Sequence, residues 1–319
     1  MPSNVCAVFC TDGRGKNPTQ AGRDAVTRAS FGCRPMTCTS RYSVRSQAMY
    51  CSEKSLSLAY RVLQRTKGSE EHRYFMWNVE TQAKLQEGPT CGLVALSLAA
   101  DQAMNRRQVT SEFIKFSDDL DCVELLRQAR QRGYTKEGEM FSAHQLAKLA
   151  TDYYKCQADV TSFSPENPKE IVSGLLDQDM YVIPYDRDKN NEPCLMGGHQ
   201  AHWAVLTGFV TPIVIESPSL FQKTLYPNLF TCISDDSKII KENLNSFLSV
   251  DPERIFFYAR HGMSRHLALW PYSILKASNE NLYEVDPSRA AQNDKFILPP
   301  ENELKSCLCS KLLRLSKKQ

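Results

Sequence analysis

The most informative pattern in the chain runs from Cys91 to Ala100, Cys-Gly-Leu-Val-Ala-Leu-Ser-Leu-Ala-Ala. It is apolar all round, and a helix without a polar face is buried on every side. Gly88-Pro89 breaks the chain just before it, and proline is favoured just inside a helix start, so Cys91 falls at or near the helix N-terminus. Upstream, Leu56, Leu58, Ala59, Val62 and Leu63 mark a short helix, followed by a polar break from Lys67 to Arg73. Downstream, a helix is predicted from Cys122 to Arg132, with Asp119 or Asp121 as cap and Gly133 as stop. Ser142-Ala-His-Gln145 reads as a capping box for a third helix with Leu146, Leu149, Ala150 and Tyr153 on its apolar face. The period then shortens. Tyr181–Tyr185, Ala201–Phe209, Ile213–Ile215, Arg254–Arg260 and His266–Trp270 read as short strands between turns. Helices first and strands second predict an α+β domain with an antiparallel sheet.

Charge changes the picture only by its distribution. The formal net charge of the 319 residues is +3, but residues 1–50 carry +5, residues 51–300 carry −5 and residues 301–319 carry +3. Residues 1–50 lack a sustained apolar period and are expected to be a flexible basic arm. The Arg- and Ser-rich stretch from Arg23 to Arg45 has some transit-peptide character, opposed by Asp12 and Asp24. The expected organisation continues with a helical and polar linker over 51–77, a folded domain over 78–300 and a basic tail over 301–319. The uncharged run from Pro193 to Ile215 contains Gly197, Gly198, His199, Gln200, His202 and Pro212, which suits soluble core and not a membrane span. Twelve cysteines without a Cys-x-x-Cys pair predict neither a zinc ribbon nor a disulfide framework. With no signal-peptide pattern, a reducing, cytoplasmic setting is expected, and neither membrane nor nucleic acid is called for.

A thiol at a helix start is chemically distinctive, because the helix dipole and its free amides favour the thiolate. An imidazole partner adds a general base. His202 is the better candidate: it opens a strand after Gly197-Gly198, whereas His199 sits in the glycine-rich loop, and a ring on a strand is better fixed. A metal site built from Cys194, His199 and His202 lacks a fourth ligand and standard spacing, so no metal or cofactor is predicted. Glu137 and Glu139 read as loop and helix-start charges. Asp186, Asp188 and Glu192 flank a proline-bounded turn, where they either line a cleft or keep the turn solvated.

Whole segments also resemble a family. Glu87-Gly-Pro-Thr-Cys91-Gly-Leu-Val-Ala-Leu is similar to the nucleophile segment of the actin maturation proteases, which are papain-like cysteine peptidases. Arg132–Ser142, Ile183–Cys194 with Gly198–Val205, Leu269–Tyr272 and Ser278–Leu282 resemble further blocks, in order, over about residues 78–290. The resemblance implies a papain-like fold, with a buried nucleophile helix packed on an antiparallel sheet. It implies removal of the acetylated N-terminal residue, Met or Cys, from newly made actin. Carried over, Cys91 matches the nucleophile, His202 the base and Gln86 the oxyanion donor, although Gln86 stands at an interval of five positions before Cys91 and the usual interval is slightly longer. Glu216, in Ile-Val-Ile-Glu-Ser-Pro, stands where related enzymes carry an acidic residue that orients the imidazole; equally, it ends a strand. A Cys-His acyltransferase and a non-catalytic actin-binding adaptor are the alternatives. Mammalian relatives carry a Pro-rich N-terminal extension suited to profilin, whereas residues 1–75 here contain only Pro2, Pro18 and Pro35, which speaks against profilin binding by that route. The sequence after actin's first residue is typically acidic, so a body of net −5 calls for a local basic patch, with Arg187 and Lys189 as candidates.

Overall fold

Four β-strands fix the position of everything else, and the longest, β4, is their hub. The computed structural model describes residues 52–104, 117–164, 167–214, 220–232, 237–292 and 294–317. In chain order the elements are α1 (Glu53–Arg65), β1 (Tyr74–Asn78), α2 (Cys91–Ala103), α3 (Ser117–Gln131), α4 (Ala143–Tyr154) and β2 (Gln157–Ser162). They continue with α5 (Asn167–Leu176), β3 (Met180–Asp186), β4 (Ala201–Pro212), β5 (Phe221–Lys223), β6 (Leu229–Cys232), α6 (Ser237–Glu242) and α7 (Leu244–Phe247). The last are β7 (Phe256–His261), β8 (Ala268–Pro271), α8 (Tyr272–Glu280), α9 (Pro287–Ala290) and β9 (Lys311–Ser316).

The architecture is the expected α+β one, a buried helix on a largely antiparallel sheet. One edge of β4 is shared end to end: β3 pairs with Ala201–Leu206 and β1 with Gly208–Pro212. Its other edge pairs with β7, across an irregularity between Leu206 and Gly208. The β1–β6 pairing is parallel; the other ladders between these strands are antiparallel.

Both faces of the sheet are covered, which explains why β3 and β4 read as near-continuous apolar runs. Met180, Val182, Trp203, Val205, Leu313 and Leu315 pack against α2 and α4 on one side. Tyr181, Ile183, Tyr185, Ala204 and Leu206 face α5, Phe257, Trp270 and Tyr272 on the other. The expected alternation of buried and exposed positions along β4 is therefore absent: every residue from His202 to Pro212 is buried. Helix α2 is enclosed as its composition demands, with Leu93, Leu96 and Leu98 fully buried. Each such side chain contributes about 1.5–3 kcal/mol through burial. At the start of α4, the Ser142 hydroxyl accepts from the Gln145 amide. Asp121 does not precede α3. It lies inside α3 and accepts from Ser97, Tyr153 and Tyr154, joining α2, α3 and α4 through one carboxylate.

Two expected boundaries are corrected. The supposed linker over 51–77 supplies α1 and β1, whose Tyr74 and Met76 are buried with Ala59 and Leu63. The supposed tail over 301–319 supplies β9, which lies between β2 and β3. Lys311 and Arg314 gave the tail its basic look, but Leu312, Leu313 and Leu315 are buried, and Arg314 pairs with Asp179. The arm over 1–50 lies outside the described residues. No helix among the described residues is long and apolar enough to cross a membrane.

Truncation after Pro300 removes β9 and splits the sheet. The expected result is loss of the cooperative thermal transition in circular dichroism; a dispensable tail would leave the midpoint in place.

Candidate active site

Three of the four residues singled out from the sequence line one cleft. Gln86, Cys91 and His202 border a space of about 290 Å³, together with Met140, Phe141, Arg187, Trp203, Arg289 and Leu308. Cys91 is the first residue of α2, with Thr90 as its cap and Pro89 one residue outside. Thr90 does not cap the helix with its side chain; its hydroxyl donates instead to the Glu87 carbonyl. Amides of the first turn are thus left without side-chain caps, where a developing negative charge would use them. A close fit holds the helix start: a Cβ on Gly92 would lie 3.0 Å from Met140 and 3.1 Å from the Trp203 ring. The Trp203 indole donates to the Met140 carbonyl at 2.9 Å, and the Trp203 backbone N–H reaches the Cys91 sulfur.

The turn before β4 is built around one carboxylate. Asp186, fully buried at the end of β3, accepts from the amides of Met196, Gly198 and Gln200 at 2.7–2.9 Å. It neither lines the cleft nor keeps a turn solvated; it fixes the loop that delivers His202. His199 points elsewhere and pairs with Glu284 at 2.9 Å.

Gln86 is anchored from both ends. Its backbone N–H donates to the Gly262 carbonyl at 2.8 Å, and its side-chain amide donates to the Gly88 carbonyl at 2.7 Å. A carboxamide nitrogen has two hydrogens, so one remains for a ligand. A Cβ at position 262 would come within 2.7 Å of the Gln86 carboxamide, which leaves room for glycine alone.

Glu216 lies outside the described residues. The described chain leading toward it travels away from His202 along β4, and Val214 already pairs with Phe247. Among the described residues, His261 stands beside His202, at the end of β7, with ring centroids 5.8 Å apart. The sequence carried a faint signal for it, an imidazole at the end of a strand just before Gly262, but pairing with β4 is needed to see that it matters.

Electrostatics in the cleft are one-sided. Arg187 donates to Asn191 at 3.1 Å, and Arg289 lies over the rings of Phe141 and Phe296. Neither has a carboxylate partner among the described residues. Lys189, the other basic candidate, is exposed on the turn and does not line the cleft. Glu139 does line it, yet its carboxylate accepts from the amides of Lys136, Glu137 and Ile297, so the wall, not a ligand, uses its charge. Burial pushes the Cys91 thiol up, against the pull of the Trp203 amide and of Arg289 and Arg187. Burial, His261 and the two arginines push His202 down to about 3. Burial and the neighbouring arginines push His261 down to about 4.

Residues 81–210 match the family described as actin maturation protease-like, C-terminal domain. An actin maturation protease from Danio rerio is 32% identical over 237 residues, which cover 73% of this chain and 71% of that one. The chain belongs to the actin maturation protease family. The Mus musculus member is 31% identical, covering 76% of this chain and 64% of its own. For the Homo sapiens member the figures are 30%, 76% and 66%. A solved C39-like peptidase from Bacillus anthracis overlays at a TM-score of 0.35 and 11% identity, over 76% of this chain and 96% of that one, too loose a likeness to carry weight.

The buried imidazoles also set a pH dependence for this family member. Unfolded, both histidines bind protons below about pH 6.5; folded, they resist until about 4 and 3. The unfolded chain therefore binds more protons in that window, and stability is full above about pH 6.5 and lost as pH falls. Urea unfolding between about pH 7 and 4.5 should show a falling free energy, less steeply in His202→Phe. Equal slopes would contradict the assignment.

Proposed function

We propose that this chain removes the acetylated N-terminal residue, Met or Cys, of newly made actin by acyl transfer through Cys91. The observation that carries the reading is the convergence of Gln86, Cys91 and His202, from a loop, a helix start and a strand, on one cleft. As the Cys91 sulfur attacks the carbonyl carbon of the acetylated residue, its proton passes to His202. The carbonyl oxygen, now negative, is held by the Cys91 amide and the Gln86 carboxamide. The C–N bond then breaks, and the His202 proton goes to the leaving nitrogen of the shortened actin. Water attacks the thioester as His202 takes its proton; the N-acetyl amino acid leaves, and the proton returns to sulfur.

Family membership supports a peptidase, and the cleft's charges support this substrate. Removing a blocked residue requires no carboxylate for a free ammonium, and the one carboxylate in the wall is already occupied by three amides. Met140, Phe141, Trp203 and Leu308 supply apolar surface for the acetyl group and first side chain. Arg187 and Arg289 are the local basic patch that an acidic segment needs. We place the reaction in the cytosol, as expected from the cysteine usage; the described cysteines are free thiols.

Wild-type protein incubated with N-acetylated actin should lower the actin mass by one acetylated residue and release a free N-acetyl amino acid; Cys91→Ala should do neither. Trimming by Cys91→Ala would overturn the mechanism, and transfer of the acyl group to a second amine or alcohol would reveal an acyltransferase. Arg187→Ala and Arg289→Ala should each raise KM roughly tenfold, about the worth of one charge-assisted contact, with a weakened salt dependence.

A further inference from the structure

His202 has an unusual environment for a catalytic base. Its Nε2 is buried and has no hydrogen-bond partner among the described residues. Rings take the place of an acceptor. Tyr185, directly opposite on β3, meets His202 edge-on with centroids 5.8 Å apart and planes at 80°. His261, diagonal on β7, meets it at 5.8 Å and 75°. Trp270 closes the set, packing on Tyr185 at 4.9 Å and stacking on His261 at 6.1 Å with planes 14° apart. His261 is itself fixed, because its Nδ1 accepts from the Met263 amide at 3.3 Å.

We propose that His202 is oriented by this aromatic box of Tyr185, His261 and Trp270 instead of by an acidic or amide third residue, and that it works as an uncharged base on an uncharged Cys91 thiol. The proposal rests on the reading of Cys91 and His202 as nucleophile and base. Most of the charged and titratable groups around the pair point the same way. From β3 come the neutral phenol of Tyr185 and the cation Arg187; from β7, His261, with Arg260 beside it; from α9, the cation Arg289. Of the nearby carboxylates, Asp186 is spent on the amides of the 196–200 loop, Glu139 on those of 136, 137 and 297 and Asp188 on those of 190 and 192, while Glu192 lies beside Trp270, where burial pushes its carboxyl up. An imidazolium here would have two guanidiniums for neighbours and, among the described residues, no anion bonded at its Nε2. The sulfur and nitrogen therefore stay neutral at rest, and the S–H proton moves to His202 only as the sulfur–carbon bond forms. An acidic substrate segment lying on Arg187 and Arg289 screens both cations and so favours the transfer once the right chain is bound.

The test is alkylation of Cys91 in the full-length protein by iodoacetamide, followed by peptide mass spectrometry from about pH 5 to 10. A neutral pair predicts a rate that climbs through the ordinary thiol range near about 8.5 or above it, without a plateau at lower pH. A flat, fast rate between about pH 5 and 8 marks a thiolate–imidazolium pair and overturns the proposal. His261→Asp places an anion beside the His202 ring and should accelerate alkylation near pH 6 by about tenfold or more, since one pKa unit of charge stabilisation is a factor of ten; an unchanged rate in a folded variant counts against it. The box has a separate readout. His261→Ala should lower kcat for actin trimming by about 10–100-fold with KM nearly constant, and His261→Phe, which restores a ring without a nitrogen, should recover most of that loss. If His261→Phe is as slow as His261→Ala while both keep the wild-type Tm, the ring is not what orients His202. Alkylation needs no actin, so a failure of the substrate assignment leaves this result standing and is told apart from it.

Discussion

Burial of α2 is the constraint on which the rest of the molecule depends. A helix apolar on every side must be enclosed, and here β3, β4 and β9 close one side while α3 and α4 close another. Enclosure leaves only the first residue of the helix facing the cleft, and that residue is Cys91. The same packing brings Trp203 against Gly92 and its amide to the sulfur, so the strand that carries His202 is set in register with the thiol by core contacts alone. Catalytic geometry is in this sense a by-product of how the core is filled.

Low dielectric then decides the chemistry. Enclosure penalises charge on both the thiol and the imidazole, and Arg187 and Arg289, without a carboxylate partner among the described residues, oppose a charged imidazole further. A site arranged in this way is quiet until something anionic enters it. The arginines thus have two consequences from one placement: they attract an acidic chain, and they make reaction depend on that chain being present. The overall charge of the body gave no hint of this, since the relevant cations are two residues, Arg187 on β3's exit and Arg289 in α9, about a hundred positions apart in sequence.

What was legible in the sequence was whatever had a local cause. The all-apolar run fixed α2 and its first residue, the Ser142 box fixed the start of α4, and the glycine pair before His202 pointed to a histidine at a strand entrance. The sequence could not reveal partners that meet only through long-range pairing. His261 becomes a neighbour of His202 because β7 lies on β4, with Ala204 opposite His261. Asp186 looked like a turn residue, and only the closed 196–200 loop shows it holding three amides. β9 was hidden by its own lysine and arginine, which are less buried than the leucines of the same strand. Glu216 was chosen by the order of catalytic residues in related enzymes, and it lies outside the described residues.

The most direct test of the whole account is labelling with an N-acetyl-methionyl chloromethyl ketone, which presents the blocked residue to the cleft and alkylates whatever nucleophile receives it. Peptide mapping should find one adduct per chain, on Cys91, and its formation should be slowed by an acidic peptide with the actin N-terminal sequence. Adducts spread over several of the twelve cysteines, or concentrated on a different one, would contradict the claim that the start of α2 is where the chemistry occurs.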